Sequence, residues 1–171
     1  MKTVFNSHIQ LAKTFAAQSQ IFGKSNSMFF EHDTAYSYGY HYIAAKFLRA
    51  INGEKVCFVN SRYYSQSTLK HCGKLWNAIP DGIKCFKVPL PRVFDLDQLP
   101  TIIKIMKENA EDHLAKQLTA RKSTVHFYIA NNLISKIKEI SELFGLDVPQ
   151  TWSYKNHEQA MQKAYLIQNP S

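Results

Sequence analysis

The sequence predicts an α+β fold: a small antiparallel sheet of about three or four strands around a hairpin over 35–60, packed with helices. A C-terminal helical hairpin follows it. Three observations lead there. Asn52-Gly53 sits between two runs rich in Tyr, Phe, Val and Ile, the strongest short-range hairpin signal, with both central residues expected at positive φ. Apolar residues recur at helical spacing on either side of that hairpin. Beyond residue 94 the composition shifts, and everything from Pro100 to Gly145 is helical in character.

In chain order, Val4, Phe5, Ile9, Ala12, Phe15, Ala16 and Phe22 recur at three- and four-residue steps and predict an amphipathic N-terminal helix. Gly23 reads as its C-cap, 24–27 as a connector and 28–33 as a short strand with a His32-Asp33 turn. The run from Thr34 to Arg49 then reads as one strand. Period-2 alternation along it puts Tyr36, Tyr38, Tyr40 and Tyr42 on one face, with Gly39 marking a bulge or close backbone approach. Lys55–Ser61 forms the second strand.

A helix over 66–79 follows, with Ser65 or Ser67 as N-cap. Leu69, Cys72, Leu75 or Trp76, and Ile79 are expected to face the sheet, with Lys70, His71 and Lys74 pointing elsewhere. Pro80-Asp81-Gly82 ends it, and 84–89 reads as an edge strand limited by its prolines. The helical extension over 95–171 shows one stripe of Ile102, Met106, Ala110, His113 or Leu114, and Gln117 or Leu118. A second comprises Val125, Ile129, Leu133, Ile137, Ile140 and Phe144. Arg121–Thr124 is the expected break, one long helix being the alternative. Gly145 and Pro149 stop the second helix, Trp152 opens a last stretch, and 157–167 predicts a short C-terminal helix.

At 171 residues and 45% hydrophobic content the chain can bury one ordinary core, read as a basic module over 1–94 with the extension packed on it. Cys57, Cys72 and Cys85 sit in apolar contexts with no Cys-x-x-Cys pair, so buried free thiols in a reducing cytoplasm are expected, and no metal site or cofactor. The N-terminus shows neither a signal-peptide pattern nor a membrane span, so a cytoplasmic, non-membrane protein is expected.

The charge is segregated. Residues 1–94 hold 12 Lys/Arg against 4 Asp/Glu, whereas 95–171 hold 9 of each, so all excess positive charge lies in the half with the aromatic hairpin. That combination points to nucleic acid or a ribonucleoprotein as partner, with Tyr38 and Tyr40 as stacking surfaces and Lys46, Arg49, Arg62, Lys70 and Lys74 on phosphates. The Ser/Thr-rich start of the 66–79 helix, flanked by Arg62 and Lys70, also suits an anion. The plainer readings are a half-buried aromatic sheet face and simple helix capping.

The string Tyr36-Ser37-Tyr38-Gly39, His41-Tyr42 and Ala44, then Phe58, Asn60-Ser61, Tyr64-Ser65, Thr68 and Lys70-His71 resembles a small domain of hypothetical proteins of tailed bacteriophages. There a Tyr-Ser-Tyr-Gly-x-His strand precedes a Phe-x-Asn-Ser strand and a Tyr-Ser-x-x-Thr-x-x-His helix start. The resemblance implies a phage or mobile-element origin and brings no activity with it. In that setting a protein of this size is expected to be an accessory factor, such as an inhibitor of host defence acting on a host complex.

Two other classes compete. A metal-independent nuclease would need one imidazole as base, another as acid and a cation at the phosphorane; His41 and His71, with Ser61, Ser65, and Lys70 or Arg62, are the candidates. Against it, no carboxylate in the stretch orients either histidine. A protein-interaction module would instead use the C-terminal helices, in which case a homodimer is an expected form.

Overall fold

The computed structural model describes residues 1–147 and 153–170, which fall into two compact units, Met1–Leu99 and Pro100–Ser171. The sequence reading set that boundary at 94/95.

The first unit is a six-stranded sheet with two helices on one face. In chain order it comprises α1 (His8–Ala17), β1 (Phe22–Ser25), β2 (Met28–Glu31), β3 (Thr34–Ser37), β4 (Ile43–Arg49), β5 (Lys55–Asn60), α2 (Gln66–Ala78) and β6 (Lys84–Val88). The strands lie in sequence order, antiparallel from β1 to β5. α2 then crosses over and β6 returns parallel to β5. The expected small antiparallel sheet is therefore corrected to a six-stranded mixed one. A parallel pair needs a crossover connection, which the 66–79 helix supplies.

Two local features account for the extra strands. The N-terminal helix is shorter than the periodicity suggested: Ser7 caps its start, and Gln18, at φ 51°, ends it in the left-handed region. Phe22–Ser25 then pairs with β2, and Gly23 is a packing residue within β1, not a helix cap. A Cβ on Gly23 would lie 2.5 Å from the Phe30 ring and 3.0 Å from Leu11, so α1 and β2 can approach only over a bare backbone.

The run from Thr34 to Arg49 is two strands, not one. Tyr38 turns at φ 66°, Tyr42 N–H donates to Gly39 C=O at 3.3 Å, and Ser37 N–H donates to Tyr42 C=O. Aromatic alternation cannot distinguish a continuous strand from two joined by a tight turn, and the turn here lacks the usual Asn-Gly punctuation. The β4–β5 hairpin does turn at Asn52-Gly53, but only Gly53 is at positive φ (86°). Asn52 Oδ1 accepts from Glu54 N–H, making a wider turn than the two-residue type expected.

The core on the helix face joins Leu11, Ala12 and Phe15 of α1 to Met28, Phe30, Ala35, Phe47, Cys57 and Val59 of the sheet and to Cys72 and Leu75 of α2. Phe15 and Phe30 are among its largest fully buried side chains, each stabilising the fold by roughly 1.5–3 kcal/mol through burial. On the opposite face Phe94 packs edge-on against Phe58 at 5.3 Å, and Lys46 Nζ donates to Phe94 C=O at 2.8 Å. The segment after β6 is thereby fastened beneath the sheet. Cys57, Cys72 and Cys85 are free thiols, the first two buried and Cys85 half-buried.

α2 is turned about its axis relative to the sequence reading. Thr68, His71, Cys72 and Leu75 are buried, while Leu69 is 54% exposed. Leu69 was expected to face the sheet and His71 to face away. Polar groups on the sheet reverse that assignment, as described below.

The second unit comprises α3 (Leu99–Thr119), α4 (Val125–Phe144) and α5 (His157–Gln168). The chain breaks between α3 and α4 where Arg121–Thr124 suggested. The fully buried Gln117 fixes that break: its Nε2 donates to Ser123 C=O at 2.9 Å and its Oε1 accepts from Phe127 N–H at 3.1 Å. Leu114, Ala130 and Ala160 form the centre of the unit. Val125 and Ile129, assigned to the buried stripe, are exposed, and Ala130 takes the inner position. Gly145 caps α4 at φ 61°. Pro149 and Trp152 lie outside the described residues.

Candidate functional site

Two polar clusters flank the first turn of α2. The first is buried. Ser65 Oγ accepts from Thr68 N–H and donates to Thr68 Oγ1, both at 3.1 Å. Thr68 Oγ1 lies 3.0 Å from Ser37 Oγ, Ser37 Oγ 2.7 Å from His71 Nδ1, and His71 Nε2 3.2 Å from Ser27 Oγ. One orientation satisfies every group: Ser65 donates to Thr68, Thr68 to Ser37, Ser37 to Nδ1, and Nε2–H to Ser27. Run the other way, Thr68 would accept twice and its own proton would have no partner in the chain.

Burial lowers the His71 pKa to about 4, with the nearby charges of His8 and Lys74 adding to the effect, so the ring is neutral at pH 7. The His8 ring stands edge-on to it at 4.6 Å. With Nδ1 accepting and Nε2 carrying the proton, the one lone pair of the ring points at the buried Ser37 hydroxyl, away from solvent. This chain ties α2 to the ends of β2 and β3, and it is why His71 points inward.

The second cluster is open. A cleft of about 160 Å³ is lined by His41, Tyr42, Ile43, Asn60, Arg62, Tyr63, Tyr64, Leu90, Pro91 and Arg92. It lies where the parallel strands β5 and β6 end and α2 begins, the end of a strand–helix–strand unit at which ligands bind in open α/β sheets.

Asn60, itself buried, builds the floor. Its Nδ2 donates to Ile43 C=O at 2.8 Å, and its Oδ1 accepts from Arg62 N–H at 2.9 Å and Leu90 N–H at 3.1 Å. Tyr42 Oη donates to Arg62 C=O at 2.6 Å, and burial pushes its phenol pKa far up. Floor and walls are thus pinned by side chains whose hydrogen bonds go to backbone. The Arg62 fork spends one N–H on Leu90 C=O at 3.2 Å and is otherwise exposed. Arg92 is exposed, and Tyr63 and Tyr64 are 67% and 60% exposed. The Tyr64 ring sits 5.6 Å from His41 and 5.9 Å from Tyr42. No carboxylate belongs to the lining.

The residues singled out from sequence divide among several places. Arg62 and His41 line the cleft. Ser65 and His71 belong to the buried chain, so His41 and His71 have separate partners. Ser61 is exposed at the end of β5, its N–H donating to Val88 C=O. Lys70 is exposed and Lys74 half-buried on α2. Lys46 is half-buried and bound to Phe94 C=O. Arg49 lies at the β4–β5 hairpin, where it donates to Gly53 C=O at the other end of β5 from Arg62, roughly 20 Å away at strand spacing.

The expected row of tyrosines on one sheet face is also dispersed. Tyr42 is buried and Tyr38 packs at 5.5 Å from the His71 ring. Tyr40 donates to Glu31 at the turn and joins Phe29 and Tyr36 in a cluster of rings about 5 Å apart. The turn at Tyr38 breaks the alternation that put all four on one side.

Tyr63, Tyr64 and Arg92 were missed as site residues. The sequence reading had strand, helix and strand over this stretch but an antiparallel sheet; the parallel pairing of β5 and β6 is what sets Asn60–Tyr64 beside the residues after Val88.

Among the described residues no group of three or more His, Cys, Asp or Glu is arranged to hold a metal ion, and no helix is long and apolar enough to cross a membrane. Comparison with protein-family models, with curated proteins and with solved structures finds no match.

Proposed function

We propose that the protein is a binding module for nucleic acid and that the cleft between Asn60–Tyr64 and Leu90–Arg92 is its contact surface. The observation behind this reading is convergence. Two arginines, two exposed tyrosines and an exposed histidine meet at the carboxyl ends of two parallel strands, with no carboxylate in the lining. The guanidinium forks suit phosphate oxygens, and the positive end of α2, which begins just past Tyr64, adds to the same potential. Exposed phenol rings beside cations suit bases. The phage-like string supports a role as an accessory factor of a phage or mobile element that engages nucleic acid or ribonucleoprotein.

The nuclease reading is weaker. The basic nitrogen of His71 faces the buried Ser37 hydroxyl, away from any phosphate in solvent, and His41 has the Tyr64 ring beside it but no carboxylate to orient it.

A gel shift with labelled DNA and RNA at two salt concentrations tests the proposal. Wild type should bind with a steep loss at higher salt. Arg62→Ala/Arg92→Ala should bind weakly, and the slope of log affinity against log salt should flatten by about 1.4 for two lost phosphate contacts on a single strand. Equal binding by wild type and the double variant would refute it.

A further inference from the structure

We infer that the ligand of this cleft is single-stranded nucleic acid, engaged by one extended segment at a time. The inference rests on the proposed binding role of the cleft and narrows its substrate.

Two features of the cleft favour a single strand over other forms of the ligand. At about 160 Å³ the cleft falls short of the ~300–1,000 Å³ of sites that engulf a small molecule, so it grips part of a longer chain that continues outside it. Two of its exposed side chains are aromatic and consecutive, Tyr63 at 67% and Tyr64 at 60% exposure. A duplex buries its base faces in the stack and offers them to no side chain, whereas a single strand offers one at every nucleotide.

Two of the groups that could read base edges are already committed. Asn60 gives Nδ2 to Ile43 and accepts two backbone N–H groups on Oδ1, and Tyr42 gives its proton to Arg62 C=O. No other amide or aliphatic hydroxyl side chain lines the cleft. The Arg62 and Arg92 forks, the His41 ring and the two phenol hydroxyls stay open beside the rings, so stacking and phosphate contacts are the base-independent part of the binding and contacts to base edges add to it. DNA and RNA share that chemistry.

Fluorescence anisotropy of the full chain with 5′-labelled dT10 is the test, with unlabelled dC10, dA10, rU10 and a blunt DNA duplex as competitors. The single strands should compete with dT10 and the duplex at least tenfold more weakly than dT10, with any gap between rU10 and dT10 separating the two sources. Tyr63→Ala and Tyr64→Ala should each weaken dT10 binding about tenfold, a typical loss for one stacked base. Tyr63→Phe and Tyr64→Phe, which keep the ring, should bind like wild type.

A duplex competing as well as dT10, or alanine variants binding like wild type, would overturn the inference. If Arg62→Ala/Arg92→Ala were still defective, the cleft would stand as a phosphate-binding surface of another kind. Binding of dT10 undiminished in that double variant, or no binding by wild type, would overturn inference and proposed function together.

Discussion

The two polar clusters around α2 are built from neighbouring residues and serve opposite ends. In the buried one, Ser65, Thr68, Ser37, His71 and Ser27 satisfy one another in a single direction. In the cleft, Asn60 and Tyr42 are equally committed, but they hold up side chains whose own donors and rings face water: Arg62, Arg92, Tyr63 and Tyr64. A polar group with its bonds filled inside the protein contributes to the fold; one supported from behind and left open in front is available to a ligand. Ser65 and Tyr64, adjacent in sequence, fall on opposite sides of that division.

Breaking the buried chain should have the largest effect. His71→Leu leaves the buried Ser37 hydroxyl and the half-buried Ser27 hydroxyl without their histidine partner and should cost about 2–4 kcal/mol of unfolding free energy in urea denaturation. Nucleic-acid binding by the fraction still folded should be unchanged. Loss of affinity without loss of stability would invert the comparison.

The pH dependence follows from the same residue. His71 titrates near 4 in the folded protein and near 6.5 when unfolded, so between those values the unfolded chain binds more protons. The contribution of the neutral ring is complete above about pH 6.5 and is lost as pH falls through about 4, by roughly 2–3 kcal/mol. Thermal melts from pH 7 to pH 4 should show that loss in wild type and a correspondingly smaller one in His71→Leu; parallel curves would mean that His71 does not titrate with unfolding.

The smallest effect is expected at Arg49. It lies at the far end of β5 from the cleft and donates to its own hairpin, so Arg49→Ala should bind nucleic acid within about twofold of wild type. Loss comparable to the Arg62/Arg92 variant would show that the sheet's whole length, and not the cleft, is the contact surface.

How much of this was legible in the sequence follows the range of the interactions. Features decided within a few residues were readable: the Asn52-Gly53 turn, the Ser65 cap, the break at Arg121–Thr124 and the stop at Gly145. Features decided by distant partners were not. Gly23 looked like a helix cap because only the approach of Phe30 shows why it is glycine. The rotation of α2, with Leu69 out and His71 in, depends on Ser37 and Ser27, which are 34 and 44 residues away from His71. Arg62 was within reach as an exposed cation, but Arg92 joins it only because β6 is parallel to β5, and a sheet read as antiparallel gives no reason for the two to meet.

Mapping bound dT10 onto the backbone amides of the ¹⁵N-labelled protein by NMR titration tests the cleft most directly. The account predicts that the largest shift changes cluster at Asn60–Ser65, His41–Tyr42 and Leu90–Arg92, with those of Ser27, Ser37 and His71 nearly still. Changes confined to α3–α5, or spread evenly over the lysines of the first unit, would contradict it.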